Sequence, residues 1–170
     1  MRTNAIFIDG FTRISQGVAR VVGGLVEDDL SYRADHEANS VAWLVWHLTR
    51  VQDDHVSELA GRPQAWAAAG WATRFALRLG ADDTGYGHDS EAVGAVTAGP
   101  DLLVGYHDAV FAATVEFLRG LQDEDLDRVV DTNWDPPVTM GVRLMSVLED
   151  DFQHLGQAAF VRGLRERRAR

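Results

Sequence analysis

Residues 39–61 read NSVAWLVWHLTRVQDDHVSELAG, and the spacing of apolar residues in this stretch decides the fold class. Val41, Leu44, Val45, Leu48, Val51, Val56 and Leu59 recur every three or four positions, the signature of one helix face. Asn39-Ser40 supplies an N-cap, Gly61-Arg62-Pro63 ends the run, and the span between them predicts a helix of about six turns. Three further runs of the same period flank it. Residues 6–25 carry Ile6, Phe7, Phe11, Ile14, Val18, Val21, Val22 and Leu25, weakened by Gly10 and Gly17 and stopped by Gly23-Gly24. Pro100-Asp101 opens a third long helix with Leu102, Leu103, Tyr106, Val110, Phe111, Val115, Phe117, Leu118 and Leu121 on its buried side. Thr139 caps a fourth, with Val142, Leu144, Met145, Leu148, Phe152, Leu155, Phe160, Val161 and Leu164 expected inside. Between the second and third long helices lie an Ala/Trp-rich piece and the loop 80–89, too long for a simple connector and of the kind that covers a site. The segment around Trp134 and Pro136-Pro137 is too rich in proline to be helical. With no strand-period alternation, the expected architecture is all-α, a four-helix bundle with one elaborated connection.

At 170 residues the chain is long enough for one well-buried core and too short to make two ordinary domains, so residues 1–170 are expected to form a single domain. Hydrophobic residues make up 46% and charged residues 25%, close to globular usage, which argues against disorder. The formal net charge of -10 disfavours nucleic-acid and anionic-membrane partners by simple repulsion. Residues 162–170 form the one basic stretch, read as a solvated last turn whose arginines suit the negative end of a helix dipole. The absence of cysteine excludes disulfides, Cys-ligated zinc and a cysteine nucleophile, so any thiol chemistry must be brought by a small molecule. No apolar run reaches bilayer-spanning length and Met1-Arg2-Thr3 is not followed by a signal core, so a cytoplasmic location is expected. Bundles of this size often pair into homodimers through an exposed helix face, and the sequence singles out no such face.

Two constellations carry chemistry. His47 sits among Trp43, Leu44, Trp46, Leu48 and Val51 and so points along the apolar side, where a lone histidine is ordinarily a hydrogen-bonded core residue. Asp150 and His154, four apart on the last helix, project about 40° from each other. A carboxylate between apolar neighbours needs a cation or donors to offset its desolvation. If the two helices meet, His47, Asp150 and His154 form an open catalytic site with a vacant position for water or substrate. Two imidazoles and one carboxylate suit Zn, Fe, Ni or Mn, and geometry rather than residue type chooses among them. Asp53 and Asp54 read as a polar face or as partners for an arginine, His36 and His107 have no supporting context, and His55 lies about 80° round the helix from His47. Trp43, Trp46, Trp66, Trp71 and Trp134 read as core or pocket wall. No phosphate loop, Gly-x-Ser-x-Gly elbow or His-Glu-x-x-His zinc helix is present.

Trp43-Leu44-Val45-Trp46-His47-Leu48, the loop Thr84-Gly85-Tyr86-Gly87-His88 and Asp150-Asp151-Phe152-Gln153-His154-Leu155-Gly156-Gln157 resemble the DinB-like superfamily. Within it, they are similar to the actinobacterial branch of mycothiol-dependent maleylpyruvate isomerase and mycothiol S-transferases. The resemblance covers the chain in element order and spacing. It implies a four-helix bundle holding a divalent metal, zinc first and nickel second, through His47, Asp150 and His154. Many relatives carry histidine where this chain has Asp150, and the isomerase type carries glutamate; the shorter Asp150 must approach the metal more closely. The activity implied is transfer of a low-molecular-weight thiol such as mycothiol onto a small electrophile. Loop position alone assigns Tyr86 or His88 as the donor to the leaving group or developing anion. Two other readings use the same residues: a metal-dependent hydrolase, and a non-catalytic metal-binding stress-response protein.

Overall fold

The computed structural model describes residues 3–168. In chain order they form α1 (Thr3–Val22), α2 (Glu27–Leu30), α3 (Val41–Ala60), α4 (Ala65–Ala68), α5 (Trp71–Phe75), α6 (Ser90–Ala95), α7 (Pro100–Gly120), a 3-10 turn (Asp123–Asp127), β1 (Val129–Asp131), β2 (Val138–Thr139) and α8 (Met140–Arg168). The fold is mostly helical. Each of the long helices α1 and α3 lies against both α7 and α8, so the four share one core. The expected boundaries follow their local chemistry. Ser40 accepts from the Trp43 amide at 3.1 Å, Gly61 takes the left-handed conformation that closes α3, and Pro100 opens α7 where its missing N–H costs nothing. Gly17 does more than weaken α1: a Cβ there would overlap the Leu155 side chain, so the glycine lets α8 approach.

Three expectations need correction. Val129 pairs with Thr139 and Asp131 with Val138 in a short antiparallel ladder where no strand was expected; two- and three-residue strands are too short to leave a period in the sequence. Val142, Met145, Phe152 and Phe160 face outward, 52, 55, 45 and 64% exposed, and Trp134 is also exposed. The inward line of α8 is taken by Leu144, Val147, Leu148, Ala158 and Val161, together with a carboxylate, Asp151. Finally, the C-terminal arginines are not simply solvated. Arg162 Nη1 donates to the carbonyls of Arg20 (2.6 Å), Val21 (3.1 Å) and Gly23 (2.9 Å), satisfying groups left over at the end of α1, and Arg165 pairs with Asp29 at 2.8 Å.

The elaborated connection is fastened to α3 from inside. Asp53 accepts from the amides of Ala65 (2.9 Å) and Trp66 (2.8 Å) at the start of α4 and from the Tyr106 hydroxyl (2.8 Å). Arg50, fully buried, donates to the Asp83 carbonyl at 2.9 Å and to Gln64 at 2.8 Å. Burial, then the Asp53 carboxylate, pushes the Tyr106 phenol well above its usual range, which keeps it a donor.

Asp151 is fully buried and neither carboxylate oxygen has a hydrogen-bond partner. Burial, then Asp150, raises its pKa well above the ordinary carboxylate value, so the folded chain keeps a proton that the unfolded chain releases. Stability from this group is therefore present at acid pH and lost as pH rises from about 4 toward the folded-state value. Asp151→Asn should be more stable than the parent in metal-free protein. The gap should widen by up to about 1.4 kcal/mol per pH unit above pH ~4. Urea unfolding at pH 4, 6 and 8 checks this, and a gap independent of pH would contradict it.

Candidate metal centre

The two constellations meet across the α3–α8 contact. One ligand atom from each of His47, Asp150 and His154 lies within 4.8 Å of the others. His47 is buried, and Asp150 and His154 are half-buried. Asp151, one residue along α8, is not part of the cluster. A 100° step on the helix carries it into the core, as the four-residue spacing of Asp150 and His154 requires.

Each imidazole is held by its outer nitrogen. His47 Nδ1 lies 2.5 Å from the Thr84 carbonyl; a carbonyl can only accept, so Nδ1 carries the proton and Nε2 presents its lone pair. His154 Nδ1 lies 3.0 Å from Gln157 Oε1, and its Nε2 faces Asp150 Oδ1 at 3.4 Å. Trp43 stacks on His47, with ring centroids 4.5 Å apart and planes 14° apart, which fixes the ring's tilt. Asp150 Oδ2 is buried and has no hydrogen-bond partner. Two imidazole nitrogens and an unpaired carboxylate oxygen converging at this separation fit a divalent cation, which would displace any proton between His154 and Asp150, and the outer hydrogen bonds are the supports that ligand histidines need. Burial, then the neighbouring His154, holds the His47 imidazole below its ordinary pKa against the pull of the Thr84 carbonyl. His154 is lowered by burial but raised more by its bonds to Asp150 and Gln157, for a net upward shift.

The loop that supplies Thr84 also supplies the two residues expected to act as donors. Tyr86 is 93% exposed between Gly85 and Gly87, both at positive φ, and it lines a cavity of about 450 Å³ together with His47, Asp150, Glu149 and His55. His88 has both nitrogens engaged. Nδ1 accepts from the Trp43 indole at 3.1 Å, and Nε2 lies 3.0 Å from Asp83 Oδ1. This ring ties the loop to α3 and presents no free donor to the cavity. Trp134 does not line it, and a larger groove of about 640 Å³ is lined by none of the three ligands, only by Gln157, the partner of His154. His55, which had no role in the sequence, shares the cavity with His47. The Arg143 that bonds it lies 88 residues away, a separation that no local pattern encodes.

Gly85 is where the loop touches the centre. At φ +89° a side chain is strained, and a Cβ would come within 2.9 Å of His47 Nδ1 and Trp46. Gly85→Ala should displace Thr84 from His47 and weaken divalent-metal binding about tenfold or more, measured by competition with a chromophoric chelator. Unchanged affinity would show that the loop does not orient His47.

Comparisons with known proteins bear on the family and the fold. A family model described as mycothiol-S-transferase matches residues 9–166. The crystal structure of a conserved protein from Enterococcus faecalis superposes with a TM-score of 0.89 at 31% identity, covering 95% of this chain and 96% of that one. No curated protein matches, and no described helix is long and apolar enough to cross a membrane. The match over nearly the whole length, on a helical fold of DinB-like type, establishes that the chain belongs to the mycothiol S-transferase family.

Proposed function

We propose that this protein is a metal-dependent transferase that activates a low-molecular-weight thiol, mycothiol in kind, for attack on a small electrophile. The observation that carries the reading is the cluster of His47, Asp150 and His154, with ligand atoms within 4.8 Å of one another and the outer nitrogen of each imidazole already bonded to Thr84 or Gln157. Zinc is the first expectation and nickel the second, both within the range of two imidazoles and a carboxylate. When bound, such an ion supplies the Lewis acidity that lowers a thiol pKa and holds the thiolate at neutral pH. The chain has no cysteine, so the sulfur is the substrate's own.

The residues divide the remaining work. Thr84, Gln157 and the stacked Trp43 keep both imidazoles oriented, so little reorganisation is needed when a ligand enters. The thiol loses its proton to water at the cavity mouth. Its sulfur then bonds to the electrophilic carbon, and the displaced group or developing anion takes a proton. Tyr86, exposed on the cavity rim, is the loop residue positioned to give that proton. His88 serves by anchoring the loop. We place the reaction in the cytoplasm, with a small thiol and a small electrophile as partners.

Zinc-loaded protein should consume monochlorobimane faster with mycothiol than with glutathione. His47→Ala and His154→Ala should each remove both the metal and at least 100-fold of the rate, with helix content by circular dichroism retained. Metal retained in both variants would mean that the centre lies elsewhere. Full metal loading with no thiol-dependent turnover across several electrophiles would favour a hydrolase or a non-catalytic metal-binding protein.

A further inference from the structure

We infer that His55 is the residue that recognises the uncharged, hydroxyl- or amide-bearing end of the thiol, at the far end of the cavity that begins at His47. This rests on the transferase reading. His55 follows His47 by eight residues on α3, about 12 Å along the helix axis, and both line the cavity, with Asp54, Ser146 and Glu149 alongside.

The imidazole is held in one tautomer. Arg143 Nη1 lies 3.0 Å from His55 Nδ1, and a guanidinium has donors only, so Nδ1 accepts and the ring proton sits on Nε2. Arg143 is itself fixed by a 2.8 Å bond to Asp131 on β1. Burial, then Arg143, lowers the His55 pKa, and the ring stays neutral. Residues from α3, α8 and β1 thus hold one tautomer of a ring that lines the cavity, and its Nε2 makes no hydrogen bond to another described residue.

The walls define what that acceptor belongs to. Asp54, Glu149 and Asp150 line the cavity and no lysine or arginine does. A ligand carrying free carboxylates would meet like charge at short range, whereas sugar hydroxyls can donate to Asp54 and Glu149 and accept from His55. The same separation sets a minimum length. A thiol of cysteine size with its sulfur at the metal centre ends well short of His55, whereas a glycosylated one reaches it.

The test uses zinc-loaded protein and two thiols: mycothiol, and N-acetylcysteine, which lacks the glycosyl end. His55→Ala should weaken mycothiol binding by calorimetry about tenfold, as expected for one lost hydrogen bond. It should also raise the mycothiol KM with kcat nearly unchanged, and leave both measures for N-acetylcysteine as they were. His55→Gln, which keeps an acceptor for Arg143 and an N–H for the ligand, should recover most of the loss. Equal losses with both thiols, or an unchanged mycothiol affinity, would overturn the inference while leaving the transferase reading intact. If the parent protein binds and turns over neither thiol, the transferase reading itself falls, and this inference falls with it.

Discussion

The structure depends on burying the polar residues of one helix, α3. Of the twenty residues of α3, fifteen are buried, and His47, Thr49, Arg50, Gln52, Asp53 and Ser57 are among them. A buried polar group without a partner costs roughly 1–3 kcal/mol, so α3 can occupy the centre only if its neighbours bring matching groups. Gln52 donates to Thr114 at 2.8 Å, Thr49 meets His107 at 3.1 Å, and Asp53 holds the start of α4 and the Tyr106 hydroxyl. The long connection after α3 is thereby turned back onto the helix that precedes it.

The candidate centre is a consequence of the same constraint. Arg50 fixes the Asp83 carbonyl and His47 takes the adjacent Thr84 carbonyl, so a segment without regular structure becomes a rigid support for an imidazole. On the opposing helix the accounting is incomplete by design of the packing: Asp150 keeps one buried oxygen without a donor. His55 finds a protein partner across the α3–α8 contact in Arg143, whereas Asp151 keeps both oxygens unpaired in the core. An unpartnered oxygen beside two oriented imidazoles is the arrangement a cation completes.

The helices and the three-residue cluster were legible because both rest on periods of 3.6 residues: caps at Ser40 and Pro100, and the four-residue step from Asp150 to His154. What escaped the sequence depends on separation or on competition for the core. Phe152 and Phe160 look like core residues in isolation, yet α8 has more apolar residues than one buried face can hold, and Asp151 occupies part of that face. His88 and Tyr86 stand two apart in one loop, but only the positive φ at Gly85 and Gly87 sends one to the indole of Trp43 and the other to the cavity. The link from His55 through Arg143 to Asp131 joins residues far apart in the chain, and a single sequence carries no signal for it. Arg162 capping α1 is missed for the same reason.

The central claim is that His47, Asp150 and His154 hold a metal whose remaining position receives a substrate sulfur. X-ray absorption on zinc-loaded protein tests it directly, because a chain with no cysteine contributes no thiolate of its own. The account predicts nitrogen and oxygen scatterers at about 2.0–2.2 Å for the protein alone, with one sulfur at about 2.3 Å appearing when mycothiol is added. A first shell that stays free of sulfur at saturating thiol would contradict it.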